Sequence, residues 1–273
     1  MRTTHVTFPH GQVSGRSTVV ATVPADGRHG VVVAETPFHP LDHTWPDQPA
    51  DRGTLDGSPV LDCVTGAARD GQVLLGSDIP VRRGDDGWAW LVVHVLDRPV
   101  PVGAEVELEA DPAYRAALSA GHTGCHLAAL ALNGVLAGRW RKEVAPDSLG
   151  HPDFDQAAIT SSRIVEHGSL DVYRLGKSLR RKGFSADGLD PVEIADQVNE
   201  VLKGWVAADA PVWVDAPGPE LTARRTWNCD LPVGRATIPC GGTHVTRTGE
   251  LGGVRVELSL EEAALTMRTT VGP

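Results

Sequence analysis

The chemistry of this sequence concentrates in two pairs of soft-metal ligands, each pair spaced four residues apart: His122 and His126 in His122-Thr-Gly-Cys-His126, and Cys240 and His244 in Cys240-Gly-Gly-Thr-His244. Residues four apart on a helix lie one turn above each other, so both imidazoles of the first pair project from one face and can share a cation. In the second pair the glycines let a turn bring thiol and imidazole to one point. One thiolate and three imidazoles with no redox partner suit Zn2+, whose borderline softness accepts both sulfur and nitrogen. The residue after His122 is Thr123, so the general-base Glu of a His-Glu-x-x-His peptidase is missing and the chemistry must lean on the metal and its water.

Other residues compete for a role. His39 and His43 repeat the four-residue spacing, but Pro40 between them breaks any regular helix, so this pair reads as surface or pocket lining and not as the main metal site. Cys125 lies about 60° from His122 around a helix and competes as a ligand, although a small filler packed against a sheet is the better reading of that thiol. Trp45 and Trp140 are candidates for stacking on bases, while Trp88 and Trp90 alternate on a strand and share one inward face.

The elements that must hold these groups follow from pattern. Residues 17–96 alternate short β-rich runs (17–23, 30–34, 72–75 and 88–96) with turns at Asp26-Gly27, Asp56-Gly57, Asp70-Gly71 and Asp86-Gly87, the mark of a small antiparallel barrel or sandwich. A last strand is expected over 99–109. Asp111-Pro112 is a good helix start, and apolar residues recur at helical spacing from 113 to 136, so the first His pair rides on one long helix. A second helix is expected from Pro191, capped by Asp190, to about Val206, with Val192, Ile194, Ala195, Val198, Val201 and Leu202 inward. Strands at 158–166, 211–215, 235–238 and 253–258 complete an α+β fold. The expected organisation is an N-terminal small antiparallel β-barrel domain over 1–109 and a C-terminal domain with helices packed on an antiparallel sheet over 110–273.

Composition narrows the function class. A formal net charge of −10 argues against a protein that coats DNA or RNA non-specifically. Within that acidic background the stretch from Tyr173 to Lys182 carries five basic residues, Arg174, Lys177, Arg180, Arg181 and Lys182, and no acidic one. Phosphate contacts position a nucleic acid without reading its sequence, which makes these five the candidate grip; a solvated face paired with neighbouring acids is the competing reading. The first ten residues lack the apolar core of a secretory signal, and no apolar run approaches a membrane span, so a cytoplasmic address without a membrane partner is expected. The four cysteines are too scattered for a disulfide framework.

The stretch Cys240-Gly-Gly-Thr-His-Val-Thr-Arg-Thr-Gly-Glu-Leu-Gly252 resembles the C-terminal signature of the alanyl-tRNA synthetase editing domain and its free-standing AlaX-type relatives, and His122 to His126 resembles that family's helical His pair. Upstream, Thr36-Pro-Phe-His-Pro40 and Gln48-Pro-Ala-Asp-Arg-Gly53 are similar to the segment that family uses near its substrate. The resemblance implies a Zn2+ site of His122, His126, Cys240 and His244 in an editing cleft. It also implies substrate contacts from Thr36, Gln48, Asp51, Gly241, Gly242 and Thr243, with the Thr36 hydroxyl able to recognise a hydroxylated side chain. The implied partner is a mischarged tRNA held by its acceptor end. The implied activity is a trans-acting deacylase that cleaves the ester between tRNA and a mistaken small or hydroxylated amino acid: serine, glycine, alanine or a threonine-like residue.

Residues 41–47, Leu-Asp-His-Thr-Trp-Pro-Asp, depart from the family's run of glycines and add bulk at that wall. The departure keeps open a self-protective deacylase for tRNA(Thr) charged with a threonine analogue such as fluorothreonine. A non-catalytic zinc-stabilised tRNA-binding module and a zinc hydrolase of small amino-acid esters or amides are the readings from other classes.

Overall fold

The structure, a computed structural model, describes residues 1–272. They group into two compact units: the first gathers Met1–Ala116, Val214–Arg225 and Cys240–Thr243, the second Ala117–Trp213, Thr226–Pro239 and the chain from His244 onward.

The first unit is built on eight antiparallel strands in the order Ser58–Val60, Gly53–Leu55, Glu105–Ala110, Ser14–Ala25, Arg28–Val33, Ala89–Leu96, Asp62–Arg69 and Gln72–Leu75. The strand at one edge passes through a single residue, Leu61, into the seventh strand of that order, and the Leu61 amide donates to the Val95 carbonyl at 2.8 Å. The sheet therefore curls into a half-barrel. Three Asp-Gly pairs close its hairpins as expected: Asp26 and Gly27, Asp56 and Gly57, and Asp70 and Gly71 all have positive φ, the turn geometry whose twist matches that of the flanking strands. Inside the curl lie Phe8, Phe38, Trp90, Leu96 and Leu108, with Trp88 packed against the same cluster. The strand expected over 99–109 starts only at Glu105, because Pro99 and Pro101 withhold amide donors and Gly103 turns the chain with φ 88°.

In the second unit a four-stranded antiparallel sheet runs in the order Ile159–Val165, Gly168–Arg174, Ala264–Val271, Val254–Glu261, and a three-stranded sheet joins Val212–Asp215, Thr226–Leu231 and Gly234–Pro239. The helices are α1 (Pro112–Leu136), α2 (Phe154–Ala158), α3 (Lys177–Lys182) and α4 (Pro191–Ala207). Asp111 caps α1 by accepting from the amides of Ala113 (2.9 Å) and Tyr114 (3.1 Å), and Asp190 caps α4 by accepting from those of Val192 and Glu193. The buried face of α4 is Ile194, Ala195, Val198, Leu202 and Trp205. Val192, expected inward, is 66% exposed: it stands roughly 200° around the helix from Ile194.

Small residues let α1 lie close on the four-stranded sheet. A Cβ on Gly121 would stand 2.5 Å from the Val165 carbonyl oxygen and 2.6 Å from that of Gly168, and one on Gly124 would stand 2.6 Å from Val271 Cγ2. Cys125 shares this side, with its sulfur 3.5 Å from each carboxylate oxygen of Asp171. His122 and His126 sit about 100° or more around the helix from Gly121, so the packing face and the imidazole face are separate.

Candidate metal centre

The two histidines of α1 and His244 form a triangle of rings, with centroids 4.7 Å apart for His122 and His126, 4.5 Å for His122 and His244, and 5.1 Å for His126 and His244. Trp227, fully buried on strand Thr226–Leu231, backs this triangle at 5.1 Å from the His126 ring. Cys240 completes the group: one ligand atom from each of His122, His126, Cys240 and His244 lies within 4.8 Å of the other three. Nε2 of His126 is buried and has no hydrogen-bond partner among the described residues. A buried polar nitrogen left bare costs free energy unless something coordinates it, so the donor set fits a metal ion on both chemistry and geometry.

Burial sets the protonation states. It pushes His122 down to about 4 and, together with the neighbouring His122, holds His126 well below the usual imidazole range. Both rings are therefore neutral at physiological pH, the form that ligates. Burial pushes the Cys240 thiol up to about 12, against the Gly242 amide, which donates to its sulfur at 3.4 Å. Without a cation the thiol keeps its proton, and binding one must release it. Asp47 adds negative charge near this thiol and is itself held up at about 6 by burial.

Several groups position these candidate ligands. Thr123 Oγ1 lies 3.2 Å from His244 Nδ1. Gln48 and Thr243, both buried, clasp each other reciprocally: the Gln48 amide donates to the Thr243 hydroxyl at 3.0 Å, and the Thr243 backbone amide donates to Gln48 Oε1 at 3.0 Å. That clasp holds the turn through Gly241 and Gly242. Asp51 is buried and accepts from Arg115 Nε at 2.8 Å, from Arg115 Nη2, and from the His39 backbone amide. Its carboxylate thereby ties the chain on either side of the 41–47 loop. Thr36 is fully buried, with its hydroxyl 2.9 Å from His94 Nε2.

Neither His39 nor His43 belongs to the ligand group. The His43 side chain is only 4% exposed and stacks on Trp90 at 5.5 Å, and both of its ring nitrogens lack a hydrogen-bond partner among the described residues. Arg174, Lys177, Arg180, Arg181 and Lys182 are all exposed, at the end of strand Gly168–Arg174 and along α3. Arg174, Lys177 and Arg180 line a surface cavity of about 590 Å³. Of the two candidate stacking tryptophans, Trp45 is 46% exposed, whereas Trp140 packs edge-on against Phe184. Sequence reasoning did not find Thr123 as the partner of His244, Trp227 as the backing of the imidazoles, or His94 as the partner of Thr36. Each contact joins residues remote in the chain, so no local spacing announces it.

The chain matches no family model. Among known proteins it is similar to the alanyl-tRNA editing protein AlaX-M of Pyrococcus horikoshii, 28% identical over 232 residues that cover 83% of this chain and 79% of that protein. It is also similar to the alanine–tRNA ligase of Pyrobaculum neutrophilum, 30% identical over 240 residues, and to that of Methanopyrus kandleri, 26% identical over 251 residues. These matches take in 85% and 88% of this chain but only 22% and 23% of the ligases, so the chain spans less than a quarter of either. No helix of the described residues is long and apolar enough to cross a membrane.

Proposed function

We infer that this chain, which belongs to the AlaX-type alanyl-tRNA editing family, is a trans-acting, zinc-dependent aminoacyl-tRNA deacylase of the cytoplasm. The observation that carries the reading is the meeting of His122, His126, Cys240 and His244 at one point, in a chain similar over 83% of its length to an alanyl-tRNA editing protein. Its reaction is hydrolysis of the ester between tRNA and a mistaken small or hydroxylated amino acid.

When bound, zinc would polarise the ester carbonyl or lower the pKa of a water toward neutrality, and an ester needs less activation than a peptide. The residues of the chain supply the rest. Gln48 and Thr243 fix the turn that presents Cys240 and His244, and Gly241 and Gly242 let substrate approach the backbone there. Thr36 faces the amino-acid side chain, and Asp51, through its bonds to Arg115 and to the His39 amide, holds the segment that carries Thr36. Arg174, Lys177, Arg180, Arg181 and Lys182 grip phosphates of the acceptor end.

A specific observation favours a second reading of the substrate. The His43 ring is buried against Trp90 in the 41–47 segment, where the resemblance has glycines; a bulkier loop there would reshape the wall of an acyl pocket, and on that ground a threonine analogue replaces serine or glycine as the substrate.

The test is a panel of tRNAs charged with serine, glycine, alanine, threonine and a fluorinated threonine, given to zinc-loaded protein while ester loss is followed. Release of at least one acyl group is expected, and none by a Cys240→Ala variant of lowered zinc content. Native protein that binds zinc and releases nothing from any member would rule out the deacylase and favour the non-catalytic tRNA-binding module, with release from a free amino-acid ester marking the small-ester hydrolase instead.

A further inference from the structure

We propose that His94 is a positioning residue that fixes the polarity of the Thr36 hydroxyl, so that toward an acyl side chain Thr36 can accept a hydrogen bond but has no proton to give. The proposal rests on the reading above that Thr36 faces the amino-acid side chain. It goes beyond that reading by assigning a direction to the contact and a residue that sets it.

The assignment follows a chain of four groups, all within the first unit. His94 lies fully buried on strand Ala89–Leu96, edge-on to Phe38 with ring centroids 5.1 Å apart. Its Nδ1 stands 3.1 Å from the Val31 carbonyl oxygen, which can only accept, so Nδ1 carries the proton. Burial pushes this imidazole down to about 4, so the ring is neutral at physiological pH and its other nitrogen is bare. That bare Nε2 is 2.9 Å from Thr36 Oγ1, so the hydroxyl must donate to it. The Phe38 amide donates to the same oxygen at 3.1 Å. A hydroxyl has one proton and two lone pairs, so a single lone pair of Thr36 remains. A hydroxylated acyl group satisfies that lone pair, whereas a group that only accepts leaves two acceptors facing each other in a site shielded from water.

Two experiments test this. Nitrogen-15 NMR of histidine-labelled native protein at neutral pH should show the Nδ1–H tautomer for His94; a proton on Nε2 overturns the proposal with no variant needed. Release of serine and of 3-fluoroalanine is then compared, both charged on the tRNA cleaved fastest in the panel. The two side chains are close in size, but fluorine accepts and cannot donate. For native protein kcat/KM should favour serine by about tenfold or more, the cost of one unpaired buried group. In His94→Phe the Thr36 proton is free to turn outward, so the ratio should fall several-fold while zinc content stays. His94→Gln, whose amide can donate to Val31 and accept from Thr36, should restore it. Equal native rates on the two acyl groups, or an unmoved ratio in a folded His94→Phe, overturn the proposal. Should His94→Phe not fold, the tautomer and the native ratio decide. Release of neither acyl group, with none released anywhere in the panel, instead removes the deacylase reading and the proposal with it.

Discussion

The Thr123 hydroxyl makes three hydrogen bonds at once, and together they choose which nitrogen of His244 can hold a cation. Its proton goes to the Ser119 carbonyl at 2.9 Å, and one lone pair accepts from the Val245 amide at 3.2 Å. The contact to His244 Nδ1 at 3.2 Å can then be satisfied only if that nitrogen donates, which makes Nε2 the unprotonated nitrogen of the neutral ring. Thr123→Val keeps the shape and loses the oxygen. Metal affinity, measured by competition with a chromophoric chelator, should fall about 10–100-fold, the usual cost of an outer partner of a ligating histidine. Unchanged affinity would make Thr123 a helix residue only. The four candidate ligands could be picked out in the sequence, and they cluster in the structure, because pairing and softness are local properties of residue type and spacing. Their supports were not: Thr123 and His244 are 121 positions apart, and Gln48 and Thr243 are 195 apart. Only folding brings such partners together, so the resemblance could point to Gln48 while its clasp on Thr243 stayed hidden.

At the scale of elements, two features of the four-stranded sheet and the helices α1 and α2 can be tested directly. Alanine is a better helix former than glycine by roughly 1 kcal/mol, yet a Cβ on Gly121 would meet backbone atoms at 2.5 to 2.7 Å, and backbone cannot swing aside. Gly121→Ala should therefore destabilise, by about 1–3 kcal/mol in denaturant unfolding; a gain in stability would mean that α1 sits higher on the sheet than described. On α2, burial raises the Asp155 carboxyl to about 7 from 3.8, against the Tyr173 hydroxyl that donates to it at 3.0 Å. The native state thus holds a proton that the unfolded chain gives up, and the stability this contributes is complete below 3.8 and lost as pH rises through about 7. Asp155→Asn, which can still accept from Tyr173, should be more stable than the native protein at pH 8 by roughly 1–3 kcal/mol and show no gain near pH 4. Parallel stability curves for the two proteins would contradict it. Capped helices and Asp-Gly hairpins were readable because a cap or a turn is decided within a few residues. Strand Gly168–Arg174 was not, since it buries Ser169, Asp171 and Tyr173 while Leu170 and Val172 are only half-buried, the reverse of the usual alternation. Strand Asp62–Arg69 hides for another reason. It is buried from Thr65 to Ala68 through small residues, with Gly66 leaving room for Val93, and such a run has little β-propensity.

For the whole molecule the question is how a chain of net charge −10 would bind the polyanion that the proposed function requires. Long-range repulsion is screened beyond about 8 Å at physiological ionic strength, so on the proposed function the local field near α3 would govern the encounter and the overall sign would matter less. There Arg174, Lys177, Arg180, Arg181 and Lys182 are exposed together, and three of them border one cavity. Each basic group that neutralises a phosphate releases condensed counterions, so binding must weaken as salt rises, with a slope that counts the contacts. If α3 holds phosphate as proposed, reversing Arg180 and Arg181 to Glu removes two such contacts and adds two repulsions. The slope of log Kobs against log salt should become shallower by about two, and affinity at low salt should drop. Zinc content and unfolding midpoint should stay as they are, since both side chains are exposed and far in sequence from the ligands. A slope that does not move would take α3 out of the tRNA interface. The remaining salt dependence would then have to come from another basic surface, without touching the argument for the metal centre.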